Sequence, residues 1–217
     1  MRQLTVEDLC REARQFAEVE STYPEPTLYG VTDGKAVGTY LEHKFKAHVS
    51  QQYDYVRGSS ASGIDFPELG VDMKVTSIAQ PQSSCPFKSA RQKIFGLGYS
   101  LIVFVYEKTD DPQSQSGTLR IDHTIFVESN RTGDFQMTRG ILSILSSDGN
   151  EDDLVAFMMD KMLPVDESEA RIIAQELISG PKIDQGYLTI SNALQWRLQY
   201  GRVISHAGRV DGIIRVR

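Results

Sequence analysis

The sequence has few cysteines and no long apolar segment. Its 217 residues include two cysteines, Cys10 and Cys85, which are too few for a disulfide framework and favour a reducing compartment. No run approaches the 18 or so apolar residues that a membrane-spanning helix needs, and residues 1–5 lack the apolar core of a secretory signal. We therefore expect a folded, soluble, cytoplasmic protein that does not enter a membrane.

Several catalytic and cofactor motifs are also missing. The histidines, His43, His48, His123 and His206, are scattered, and neither His-Glu-x-x-His nor Cys-x-x-Cys occurs, which argues against a zinc site. No Gly-x-Ser-x-Gly is present for acyl transfer, and no Gly-x-Gly-x-x-Gly follows a predicted strand. Zinc hydrolases, serine hydrolases and dinucleotide-binding enzymes are therefore disfavoured.

Acidic residues are in excess, but the two signs of charge are segregated along the chain. The formal net charge is −6, and residues 148–169 alone carry eight acids and one lysine. Residues 35–108 carry nine bases and six acids, and residues 187–217 carry five arginines and one acid. Two interpretations stay open: a solvated acidic helix pair with scattered surface arginines, or basic surfaces that contact nucleic acid.

The segment 63–77 contains the strongest candidate site. It begins in a turn-rich loop that carries Asp65 and passes through a Pro/Gly turn into a predicted strand. Because side chains alternate along a strand, Asp72 and Lys74 project from the same side, and we expect Asp72 to face a solvent cleft. The turn can fold Asp65 back beside Asp72. The opposite face of the strand, which we expect to join the core, is formed by Val71, Met73 and Val75.

Two neighbouring carboxylates indicate a cation. At about 4 Å they repel each other by roughly 4 kcal/mol at an effective dielectric constant near 20. Carboxylate oxygens suit Mg²⁺, with Mn²⁺ as a possible substitute. A lysine beside such a site can hold an attacking water and offset the charge on a phosphate, which is the chemistry of phosphodiester hydrolysis. The alternative is an ordinary surface strand.

The bare pattern acid-x-Lys is common by chance and occurs three times in this chain. Asp33 begins one copy in a Thr-Asp-Gly-Lys turn without an apolar strand around it. Glu42 begins another in a helical pattern, where residues i and i+2 point in different directions. Only the copy at Asp72 combines a strand, a preceding acid and a turn between them.

Residues 65–74 also resemble a known active-site segment. The MutH-type endonucleases, a group within the PD-(D/E)XK nuclease superfamily that includes a mismatch-repair nicking enzyme and GATC-cutting restriction enzymes, read Asp-Phe-x-x-Leu-Gly-Val-Glu-Leu-Lys. This chain reads Asp-Phe-Pro-Glu-Leu-Gly-Val-Asp-Met-Lys, so Asp72 replaces the family glutamate. The downstream Thr-x-Pro of the family is replaced by residues 75–77, Val-Thr-Ser. The resemblance covers about residues 34–106.

The resemblance implies an α/β fold with a mixed central sheet flanked by helices. It implies that Asp65, Asp72 and the backbone carbonyl of Met73 bind Mg²⁺, that Lys74 orients and activates water, and that the products carry a 5′-phosphate and a 3′-hydroxyl. Glu42 resembles a family glutamate that supports the site, and Lys93 in Arg-Gln-Lys resembles a lysine that assists at the scissile phosphate. Glu42 as a surface charge and Lys93 on a basic helix face remain alternatives.

Periodicity predicts the remaining elements. Helices are expected over 5–20, 34–49 and 87–95, with a three-stranded meander after the second and a central strand at 101–106. A nuclease core is expected over 1–130, and a largely helical C-terminal region over 131–217. That region has predicted helices at 134–145, 151–162, 166–179 and 191–200 and short strands at 203–205 and 212–216, a pattern compatible with a winged-helix-like DNA reader.

The sequence therefore predicts a Mg²⁺-dependent type II restriction endonuclease that cuts double-stranded DNA and pairs two active sites in a homodimer. A strand-nicking repair enzyme and a DNA-binding module with purely structural acids are the alternatives. The basic side chains expected to contact DNA are Lys88, Arg91, Arg197, Arg202 and Arg209.

Overall fold

The computed structural model describes residues 2–56, 58, 63–86, 88–191 and 196–217. These residues form two compact units. The first unit comprises Met1–Ser83, Ser100–Val127 and His206–Arg217, and the second comprises Ser84–Tyr99 and Glu128–Ser205. Within the described ranges, none of the helices has the length and apolar character that crossing a bilayer requires.

The elements are numbered in chain order. The helices are Val6–Glu20 (α1), Gly34–Ser50 (α2), Gln92–Phe95 (α3), Phe135–Ser146 (α4), Glu151–Asp160 (α5), Glu167–Ser179 (α6) and Gly201–His206 (α7). The strands are Arg2–Gln3 (β1), Pro24–Glu25 (β2), Tyr53–Asp54 (β3), Val71–Ser77 (β4), Gln82–Cys85 (β5), Ser100–Asp111 (β6), Ser116–Val127 (β7), Thr189–Ile190 (β8), Trp196–Gln199 (β9) and Ile213–Arg215 (β10). The chain passes from the first unit to the second within β5.

The first unit is built on a mixed sheet, as the resemblance implied. Its strands follow the order β10-β7-β6-β4, with β2 paired to β7. β4 runs parallel to β6, whereas β7 is antiparallel to both β6 and β10. β4 thus lies at one end of this order and pairs with β6 along its whole length, from Val71↔Ser100 to Ser77↔Tyr106.

The first unit has a core of apolar strand and helix side chains. Residues 101–106 of β6 are all buried, which confirms the predicted central strand. Phe104 lies 5.2 Å from Phe45 of α2 and 6.1 Å from Phe16 of α1, measured between ring centroids. α1 begins as predicted, because the Thr5 side chain accepts a hydrogen bond from the Asp8 backbone, a cap worth about 1 kcal/mol. These contacts fix α1 and α2 against the sheet.

The second unit contains a separate helical core. Asp134, Asn150 and Asp166 cap α4, α5 and α6, so three of the predicted helices are confirmed. Their buried faces form one cluster that includes Met137, Ile141, Leu154, Met158 and Ile173. β8 and β9 of this unit pair antiparallel.

Three sequence predictions for the C-terminal region are wrong or only partly right. The helix predicted over 191–200 is wrong, because Trp196–Gln199 forms a strand whose residues alternate between buried and exposed; residues 192–195 lie outside the described chain. The strand predicted at 203–205 lies within helix α7. The strand predicted at 212–216 is present as β10, but it pairs with β7, so the hairpin of a winged helix is not formed by these residues.

Two predictions nearer the candidate site also need correction. The first strand of the expected meander is reduced to β3, which pairs in parallel with β1 apart from the main sheet, so the meander is wrong. The helix predicted over 87–95 is limited to α3, since the residues before Gln92 form turns; Phe87 lies outside the described chain. The predicted boundary near residue 130 falls beside the change of unit after Val127, and the chain re-enters the first unit at His206.

Candidate active site

A tight turn brings Asp65 to β4, as the sequence suggested. Residues 67–69 form a single 3-10 turn that ends at Gly70, whose φ of 61° favours glycine. The backbones of Phe66 and Val71 exchange two hydrogen bonds across the turn, at 2.9 and 3.2 Å. Oδ2 of Asp65 then accepts a hydrogen bond of 2.9 Å from the backbone N–H of Met73. The first acid is therefore fixed directly beside the strand that carries the second.

β4 separates the polar and apolar side chains as predicted. Val71 and Met73 join the core of the first unit, while Asp72 and Lys74 share the other face. The Lys74 Nζ lies 2.7 Å from Oδ2 of Asp72. Asp72 is only 4% exposed, so the expectation that it faces a solvent cleft is wrong. The carboxyl is instead buried and interacts with Lys74 and Asp65.

The pKa values of the two acids are shifted in opposite directions. Burial raises the pKa of Asp72 to about 6, and the neighbouring Asp65 adds to this effect, while Lys74 opposes it. Burial also raises the pKa of Asp65, but hydrogen bonds from Asp72, Lys46 and the Met73 backbone outweigh it and leave this pKa below its ordinary value. Without a cation, Asp72 is thus the acid of the pair that takes up a proton first as the pH falls, and it shares that proton with Asp65.

The donor set fits one small divalent cation. Oδ2 of Asp72 is buried and, among the described residues, receives no properly aligned hydrogen bond; the 2.7 Å contact with Lys74 is an ion pair by distance alone. In an extended strand the N–H and C=O of one residue point to the same side, so the Met73 carbonyl faces the same edge as its N–H, toward Asp65.

A site of this kind has few protein ligands. Within the described chain, no three His, Cys, Asp or Glu side chains converge as a metal cluster. Mg²⁺ commonly binds through one or two carboxylates and takes its other oxygens from water and phosphate. Asp65, Asp72 and the Met73 carbonyl are therefore candidate ligands for one such cation, with water and phosphate completing its coordination.

Lys46 belongs to this cluster, although the sequence analysis did not identify it. Its Nζ lies 2.6 Å from Oε1 of Glu42 and 2.6 Å from Oδ1 of Asp65. Burial lowers the pKa of Lys46, but the two carboxylates outweigh this effect and raise it overall. Glu42, one helical turn earlier on α2, thus reaches the site through Lys46. The only sequence signal was the Glu-to-Lys spacing of four residues, which also occurs on ordinary helix surfaces.

Lys93 lies in the second unit, in a small polar pocket. It is 5% exposed, and burial lowers its pKa, while Asp134 acts in the opposite direction. The pocket has a volume of about 170 Å³ and is lined mainly by polar residues: Lys93, Asp134, Gln136, Met137, Lys161, Thr189 and Ile190. Lys93 is therefore a buried cation rather than a residue on an exposed basic helix face.

The predicted DNA-contacting residues have different surroundings. Lys88, Arg197 and Arg209 are exposed. Arg91 forms ion pairs with Glu169 and Glu176 of α6. Arg202 donates a hydrogen bond of 2.6 Å to the Thr189 hydroxyl, and its guanidinium lies 4.5 Å from the centre of the Phe135 ring. Asp65, Asp72, Lys74 and Glu42 thus meet in the first unit, which also holds Arg209, whereas the second unit contains Lys88, Arg91, Lys93, Arg197 and Arg202.

Comparisons with known proteins identify the family. No solved structure matches the chain. The type II restriction enzyme NspV of Nostoc sp. (strain ATCC 29411 / PCC 7524) is 64% identical over 213 residues, which cover 98% of this chain and 96% of that protein. The family model described as type II restriction enzyme NspV matches residues 3–215. The chain therefore belongs to the NspV family of type II restriction enzymes and is a type II site-specific deoxyribonuclease.

Proposed function

We propose that this enzyme hydrolyses phosphodiester bonds of double-stranded DNA with Mg²⁺ held by Asp65, Asp72 and the Met73 carbonyl. The observation that supports this most strongly is the turn at residues 65–72, which places two carboxylates together beside Lys74. The buried and poorly satisfied oxygen of Asp72 adds to it, because a cation would supply the missing partner. Mn²⁺ is expected to substitute, since it accepts the same oxygen ligands.

Each residue of the candidate site has a separate role in the proposed reaction. When bound, the cation lowers the pKa of water and neutralises charge on the phosphate. Asp65 and Asp72 would hold the cation, and Lys74 would orient and activate the attacking water. Glu42 supports the site from α2 by way of Lys46. Lys93 is proposed to assist at the scissile phosphate. The products are a 5′-phosphate and a 3′-hydroxyl.

The candidate site also supports a proposal for the fold family and for the oligomeric state. The Asp65–Lys74 turn and strand, set on the edge of a mixed sheet, support a PD-(D/E)XK core of the MutH-like type. Cleavage of both strands is expected to use a homodimer with two equivalent sites. The exposed side chains of Lys88, Arg197 and Arg209 are available for phosphate contacts, and Arg91 and Arg202 would join them by exchanging protein partners for DNA. The cytoplasm, where DNA is found, is the proposed location.

Plasmid cleavage tests this proposal. We expect linear product with Mg²⁺ and none with EDTA, and Mn²⁺ should restore the activity. A nicked circle that never becomes linear would support the strand-nicking alternative, which family membership already disfavours. Cleavage that persists after complete removal of divalent cations would contradict the proposed mechanism.

A further inference from the structure

Lys46 occupies the space between two acids of the candidate site. Glu42 and Lys46 are one helical turn apart on α2, whereas Asp65 comes from the loop before β4. The ammonium nitrogen is equally close, at 2.6 Å, to one oxygen of each carboxylate. The side chains of Lys46 and Asp65 are only 15% and 16% exposed, so bulk water cannot readily replace this contact.

This arrangement is that of a bridging cation. A divalent ion between two carboxylates takes one oxygen from each, and the ammonium group does the same here. An ammonium has three donors and no acceptor, so two of its donors are used by Glu42 and Asp65. The other oxygen of Asp65, Oδ2, already accepts the Met73 N–H. Asp65 is therefore fixed at both oxygens, on one side by the protein's own positive charge.

We propose that the Lys46 ammonium takes the place of a second divalent cation between Glu42 and Asp65, so that each chain binds a single cation at Asp65 and Asp72. Lys46 is then a positioning residue, and Glu42 is the anchor of that lysine rather than a metal ligand. This inference rests on the metal site proposed above. A second metal ion is then not used between Glu42 and Asp65, because the Lys46 ammonium fills that position.

Counting bound Mn²⁺ by electron paramagnetic resonance tests the inference without measuring activity. The probe is Mn²⁺ alone, titrated in the absence of DNA into the full-length chain and into Lys46→Arg and Lys46→Met. Each protein is compared with the same chain carrying Asp65→Asn, so that weak sites on the acidic surface cancel. The difference gives the number of Asp65-dependent cations per chain.

We expect a count of one for the unsubstituted chain and for Lys46→Arg, which keeps the charge. Lys46→Met should give two, because Glu42 and Asp65 are then free to bridge a second Mn²⁺. Adding Glu42→Gln to Lys46→Met should return the count to one. A count of one in a folded Lys46→Met chain would overturn the inference.

A second variant keeps the test decisive if Lys46→Met fails to fold, as judged by its thermal melt. Glu42→Gln in the otherwise unsubstituted chain should leave the count at one, whereas a fall from two to one would overturn the inference. A count of zero in the unsubstituted chain would overturn the metal site proposed above, and this inference with it. The two failures are therefore distinguishable.

Discussion

Acidic side chains of the two units lie in opposite environments. In the first unit, Asp72 is 4% exposed, and burial raises its pKa to about 6. In the second unit, the side chain of Asp152 on α5 is 81% exposed and pairs with Arg171, which also contacts Glu151 and Glu167. Exposed pairs of this kind contribute little, because water and salt screen them. Acids of one chemical type thus form solvent-screened ion pairs in one unit and a buried pair at the candidate site in the other.

Lysines show the same contrast. Lys46 and Lys74 have side chains that are 15% and 18% exposed, and each contacts a carboxylate of the candidate site. Lys161 is 45% exposed and pairs with its sequence neighbour Asp160. Two charges in contact interact more strongly when they are partly shielded from water, because the effective dielectric constant is lower. The amino-acid composition of the chain does not distinguish these partly buried lysines from the exposed one.

The largest expected effect comes from Asp72→Asn, which removes the charge and keeps the volume. Cleavage should fall by about a thousandfold or more, because the cation loses a ligand. Folding and DNA binding should persist, because burial disfavours the charged form of Asp72 and the fold therefore does not depend on that charge. Plasmid cleavage under matched Mg²⁺ measures the change. Asp152→Asn is the matched control and should leave cleavage unaltered; near-normal cleavage by Asp72→Asn would remove the distinction between the two acids.

The next effect separates Lys74 from Lys93. Lys74→Ala should lower the single-turnover rate by about 10²–10⁴-fold with little change in DNA affinity, because the lysine acts on the water in the reaction. Lys93→Met, which preserves most of the buried volume, should mainly weaken binding if this lysine contacts a phosphate. Rates and affinities measured on both variants decide this. Equal behaviour of the two would mean that their roles are wrongly divided.

The titration of Asp72 should lower the free energy of unfolding by about 3 kcal/mol as the pH rises. Its folded pKa of about 6 lies above the ordinary value of 3.8, so the unfolded chain releases this proton first as the pH rises. The free energy of unfolding should therefore fall between about pH 4 and pH 6 and change no further above it through this group. Asp72→Asn should be the more stable protein at pH 7, and the advantage should vanish near pH 4.

Denaturant titrations in EDTA measure this difference. Asp65 works in the opposite direction, because its lowered pKa contributes stability that is lost as the pH falls through its folded value. The comparison of Asp72→Asn with the unsubstituted chain measures the effect of Asp72 together with its coupling to Asp65. A pH-independent difference between the two proteins would argue that Asp72 is not held in a charge-disfavouring environment.

The smallest expected effect concerns the surface arginines of the second unit. If both Arg197 and Arg202 contact phosphate, neutralising them together with Arg→Gln substitutions should flatten the slope of log affinity against log salt by roughly one to two units. Arg202 already contacts Thr189 and Phe135, so its loss should also lower the melting temperature. Measuring slope and melting temperature on each single variant separates the two roles. An unchanged slope in both would assign these arginines to structure alone.

Local signals in the sequence predicted much of the fold. Thr5 and Asp166 each cap a predicted helix, and the apolar run at 101–106 forms the buried strand. The helix predicted over 191–200 is wrong because the side chains from Trp196 onward alternate between buried and exposed, which is the period of a strand. β10 was found, but its partner β7 lies far away in sequence, and strand pairing at that distance leaves no local pattern.

The candidate site was predicted in part for the same reason. The turn between Asp65 and Asp72 is local, so proline, glycine and strand alternation were enough to bring the acids together. The contact of Lys46 with Asp65 joins α2 to a loop nineteen residues later, and nothing in either segment specifies it. The burial of Asp72 likewise depends on packing around the strand, which alternation alone does not predict.

Anomalous diffraction from crystals grown with Mn²⁺ tests most directly whether Asp65 and Asp72 share one cation. We expect one strong anomalous peak per chain, in contact with a carboxylate oxygen of each acid. A peak that touches neither acid, or the absence of a peak at a Mn²⁺ concentration that supports cleavage, would contradict the proposed site.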